Sequence, residues 1–124
     1  MKKPLGLVLL GAAIFTLAKA APLESWRPLQ ARYTIFSGLI LSDREAPTPT
    51  ERKLSILIEG KPAKEIFDSI GPDLRYTCSQ DEGDRQRAKQ GVQCTYTAEG
   101  RNKGYDCWIG IDLRTGKSIG TVSC

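Results

Sequence analysis

The chain reads as an unbroken apolar run, two short sheet-like segments, one helical stripe and then a long stretch of alternation. Residues 29–41 contain Tyr33, Thr34, Ile35 and Phe36 in a row, all favoured in sheets, and predict a strand with a bend or bulge at Gly38. Residues 42–53 are polar and hold Pro47 and Pro49, so they predict a loop, because proline cannot donate to a ladder and restricts the residue before it. Residues 54–58 (LSILI) predict a second strand. Residues 62–70 then place Ala63, Ile66, Phe67 and Ile70 on one side of a helix, with Pro62 suited to its first turn and Gly71-Pro72 to its end. A helix this short depends on packing against a sheet.

From residue 74 the period is two. Leu74, Tyr76 and Cys78 share a face, as do Val92, Cys94 and Tyr96, then Cys107, Ile109, Ile111 and Leu113, and finally Val122 and Cys124. Residues 79–91 (SQDEGDRQRAKQG) interrupt the alternation and read as a charged surface loop. The whole predicts an α+β domain: an antiparallel sheet of about five or six strands with one short helix packed on a face, stabilised by disulfides. All four cysteines fall on the more apolar faces, which predicts that they lie in or at the edge of the core.

The first segment is an address. Met1-Lys2-Lys3, the 13 uncharged residues 5–17 and the Ala18-Lys19-Ala20 site make the three-part pattern of a secretory signal peptide. That leaves residues 21–124 as one small domain, without a membrane span after cleavage. Loss of Lys2, Lys3 and Lys19 takes the formal charge from +4 to +1, which removes the electrostatic case for nucleic acid. Export to the periplasm or beyond favours disulfides over a metal site for Cys78, Cys94, Cys107 and Cys124, and their spacings lack the close pairs of a zinc centre. A two-residue turn at Thr115-Gly116 sets Cys107 opposite Cys124, and Cys78 then joins Cys94; a glycine bulge there slips the register, and Cys94–Cys107 is the rival pair.

With no histidine in 124 residues, Ser–His and Cys–His catalysis and histidine metal ligation are excluded. The acids cannot be paired into a catalytic couple from spacing alone, so the reading leans away from an enzyme and names no cofactor and no metal. The candidate partner-binding residues are Asp81, Glu82, Asp84, Arg85 and Arg87 in the charged loop, and Trp108, which alternation turns away from the Cys107 face. The basic turn at residues 99–104 reads as a plain connector. In size, export pattern and cysteine content, though not in any sequence motif, the chain is similar to small periplasmic inhibitors and immunity proteins. That likeness implies a protein partner in the cell envelope whose active site is occluded. A carboxylate enzyme acting on glycans and an assembly accessory docking through a sheet edge are the alternatives.

Overall fold

A computed structural model describes residues 2–4, 6, 11–12, 23 and 25–124; the leader predicted over residues 1–20 falls mostly outside these described residues. Strand β1 (Ala31–Phe36) leads through a 3-10 turn (Leu41–Asp43) and the proline loop to β2 (Lys53–Glu59) and helix α1 (Lys61–Ser69). Strands β3 (Arg85–Lys89), β4 (Val92–Thr97) and β5 (Gly104–Asp112) follow. They form one antiparallel sheet in the order β1-β2-β5-β4-β3. The expected disulfide-stabilised α+β architecture is present, with five strands. No helix among the described residues is long and apolar enough to cross a membrane.

Alternation explains the core. Ile58 stands opposite Cys107, which stands opposite Cys94, while Ile56, Ile109 and Val92 form the next row. Helix α1 lies over this face with Ala63 and Phe67 fully buried and Ile66 and Ile70 packed at their sides. Phe67 meets Tyr105 edge-on at 5.2 Å, and Tyr105 lies 4.7 Å from Tyr96. Burying a phenylalanine completely contributes up to about 3 kcal/mol, enough to hold a nine-residue helix that would not persist alone. Lys61 begins the helix behind Gly60, whose position supplies no side-chain cap, so the stripe and not the cap secures this element.

On the opposite face the C-terminal tail lies over Gly110 and Ser55. Ile119 N–H donates to the Gly110 carbonyl (3.1 Å), and Leu41 N–H to that of Thr121 (2.9 Å). The hydroxyls of Ser55 and Thr121, both buried, meet at 2.8 Å.

Three strand expectations are corrected. Residues 74–78 are not a strand: they run outside β3 and share with it one backbone bond, Leu74 N–H to the Gln86 carbonyl, while Tyr76 projects into solvent. Residues 85–89, read as part of a loop, are β3, paired with β4 through a tight turn at Gln90-Gly91 where Gly91 takes φ +77°. Residues 122–124 are not a strand either; the turn after β5 leaves only the Ile111–Ser118 bridge before the tail climbs over Gly110.

The favoured cysteine pairing fails for the same reason. Cys124 is carried off the sheet to Cys78, and Cys94 bonds to Cys107. Gly110 N–H donates to the Gly91 carbonyl, which makes Cys94 and Cys107 a non-hydrogen-bonded cross-strand pair, the kind whose side chains approach most closely; their Cα atoms are 4.1 Å apart. Only Cys94 and Cys107 are in the core. Cys78 and Cys124 are exposed.

Candidate functional site

Because Arg85 pairs with Tyr96, the segment entering β3 and the turn leaving β4 emerge at one end of the sheet. Asp84 ties them together. One carboxylate oxygen accepts the Ala98 N–H (2.9 Å) and the other accepts the Ser79 hydroxyl. These two donors, the Ala98 amide first, hold the Asp84 carboxyl below its ordinary range. Just before it, Gln80 adopts φ +42°, an uncommon conformation for a residue with a side chain, between the Cys78 disulfide and the Asp84 pin.

Asp81, Glu82, Asp84 and Glu99 line an open notch of about 330 Å³ at this end. Asp81, Glu82 and Glu99 are exposed and Asp84 is half-buried. The turn read as a basic connector thus adds an acid, Glu99, to the acids of the other loop. The missing signal was β3 itself: without that strand nothing in the sequence sets residues 81–84 beside residue 99.

Arg85 and Arg87 belong to a different structure. As alternate residues of β3 they face α1, stacked over Phe67 with guanidinium carbons 5.0 and 4.3 Å from the ring centroid. Asp73 grips both, meeting Arg85 Nε at 2.7 Å and Arg87 Nε at 2.6 Å, and Arg87 also donates to the Phe67 carbonyl (2.8 Å). The two guanidinium groups, that of Arg85 first, lower the Asp73 carboxyl from 3.8 to about 2. Asp73 is 39% exposed, so solvent screening reduces what this ion pair contributes to about 1 kcal/mol. A depressed carboxyl stabilises the fold above its unfolded value. The contribution is therefore expected to be complete above about pH 4 and to fade as pH falls towards 2, and urea titrations of Asp73→Asn should lack that segment of the wild-type pH profile.

Trp108 lies on the face away from α1, half-buried between Leu57 and Gln93, and neither the helix nor Trp26, which is fully exposed, covers it. Two positions along, Asp106 stands directly opposite Glu59. Burial, then the Glu59 charge, raise the Asp106 carboxyl, and Arg32, 3.2 Å from Glu59, offsets them in part. A carboxyl raised in the folded state loses stability for the protein as pH climbs past its usual range. Asp106→Asn is thus expected to raise Tm at neutral pH, with the gain vanishing in acid, where Asp106 is already protonated; a thermal melt at both pH values checks this.

A wider groove, about 1040 Å³, runs between residues 25–29 and α1, bridged by Arg27 and Glu65 at 2.7–2.8 Å. The structure therefore gathers Asp81, Glu82 and Asp84 with Glu99, and separates them from Arg85, Arg87 and Trp108. Compared with family models, curated proteins and solved structures, the chain matches none of them.

Proposed function

We propose that the protein is an exported binding module, an inhibitor or immunity factor of the cell envelope, whose two loops meet at an acidic notch and enter and occlude the cleft of a partner protein. The observation that carries this reading is the convergence of Asp81, Glu82, Asp84 and Glu99 on two loops fixed at their bases. One loop follows the Cys78–Cys124 bond, and the other closes the hairpin cross-linked by Cys94–Cys107. Loops held in place before binding lose less entropy when they bind. The four acids of the notch call for a basic group on the partner, and both disulfides are compatible with an oxidising compartment.

The test is affinity capture from periplasmic extract at physiological salt, with the Asp81→Lys/Glu82→Lys variant as comparison and calorimetry on the partner recovered. Wild-type protein should retain a partner whose affinity drops at least about tenfold in the variant and weakens with salt. Equal binding by both proteins, or no partner for folded wild-type bait, overturns the reading.

A further inference from the structure

The β3 edge of the sheet receives one backbone bond, from Leu74 N–H to the Gln86 carbonyl, whereas the described residues give the β1 edge none over residues 31–35. The ladder bonds fix which groups point where. Gly60 N–H donates to the Tyr105 carbonyl, so Ile58, Ile56 and Leu54 bond to β5, and the residues between them bond to β1. The register then leaves the N–H and C=O of Ala31, Tyr33 and Ile35 pointing outward from β1. Ser37, next in that series, confirms the phase: its N–H and C=O both pair with Glu45. No described residue pairs with the backbone of the other three. Tyr33, at the centre of the open stretch, is 73% exposed.

We infer that β1 is a homodimerisation edge, at which a second copy of this chain pairs antiparallel about Tyr33. The edge is self-complementary in that register and in no neighbouring one. Centred on Tyr33, Ala31 meets the second copy's Ile35, the two tyrosines face each other, and all outward groups of the three residues are used. Arg32, the one charge in the stretch, then stands opposite the second copy's uncharged Thr34. Centring on Arg32 opposes two like charges, and centring on Thr34 drives Ala31 against Ser37, whose bonds Glu45 has taken. Apart from Arg32, the usual guards of an exposed edge, such as a lysine row, a proline or a bulge, are missing from residues 31–35.

The experiment uses the full chain. Sedimentation velocity across a concentration series is paired with amide hydrogen exchange at Ala31, Tyr33 and Ile35. A species of twice the chain mass is expected, with these three amides exchanging about tenfold slower at high than at low concentration. Tyr33→Lys opposes two ammonium groups across the two-fold and should weaken the dimer at least about tenfold, with far-UV circular dichroism unchanged and Tm unchanged at the low concentration where both proteins are monomers, because the side chain is exposed in the monomer. Protection that is independent of concentration in a monomer means that another part of the same chain covers the edge, and overturns the proposal. So does a monomer whose three amides exchange freely, or a dimer indifferent to Tyr33→Lys.

Discussion

Alanine at position 110 is expected to destabilise the protein by about 3 kcal/mol, read as a lower urea midpoint with an unchanged slope. Gly110 lies in β5 where the C-terminal tail crosses the sheet. A Cβ there would stand 2.2 Å from the Ile119 carbonyl oxygen and 2.6 Å from Thr121 Cγ2. The first of these atoms is backbone, so no rotamer change relieves the contact. Moving the tail strains the Ile119–Gly110 and Leu41–Thr121 bonds and the buried Ser55–Thr121 pair together. Gly120→Ala is the control, since a Cβ at that position meets nothing within 4 Å, and it should change stability by less than about 0.5 kcal/mol. The tail is also tethered through Cys124 to Cys78. In a Cys78→Ser/Cys124→Ser background the tail can lift, so Gly110→Ala should cost less there, a coupling of about 1 kcal/mol. Equal costs at positions 110 and 120 would mean that the tail is not seated on β5.

The tail also marks where sequence reading stops. Helix α1 was legible because its signal is local: Ala63, Ile66, Phe67 and Ile70 are spaced by the helix period and the structure buries that stripe. Strands β4 and β5 were legible because Cys94 and Cys107, with their apolar neighbours, face one covered layer. Strand β3 was hidden by its composition. Arg85 and Arg87 alternate with Gln86 and Ala88, so neither face looks apolar, and the pattern has meaning only once Phe67 and Asp73 are in place to receive the arginines. The converse error came at Leu74, Tyr76 and Cys78, which alternate convincingly but lie beyond an edge that offers them a single backbone bond, from Leu74, and the Gln86 side chain for Cys78. The acidic notch follows from β3, so it was out of reach for the same reason: Asp81 and Glu82 were singled out, while Glu99 was passed over. For the cysteines, a correct sense of which faces were apolar did not suffice. Pairing depended on a turn register two residues away from the one assumed, and on a tail that leaves the sheet.

A mild reductant is expected to open Cys78–Cys124 while Cys94–Cys107 stays closed. Chain entropy alone does not rank the two bonds in this way. A separation of 46 residues corresponds to about 4 kcal/mol, and one of 13 to about 3. The shorter link adds packing of its own, because its sulfurs are fully buried beneath Ala63 and Phe67 and their removal would leave a void. The two bonds are thus similar in what they contribute and differ in access. An attacking thiolate has to reach a sulfur in line with the bond, which the exposed Cys78 and Cys124 permit and the buried pair does not until the helix leaves the sheet. Limited reduction followed by alkylation and peptide mapping should therefore label Cys78 and Cys124 well before Cys94 and Cys107. Labelling of the inner pair first, or of all four together, would contradict the burial on which the core rests. The partly reduced protein then separates two roles. Its β4–β5 ladder should keep its amide protection, while the Leu41 amide, held by the tail at Thr121, exchanges faster. The loop bearing Asp81 and Glu82 loses one of its anchors without loss of the sheet, so the binding proposed for that loop should weaken in a molecule that remains folded.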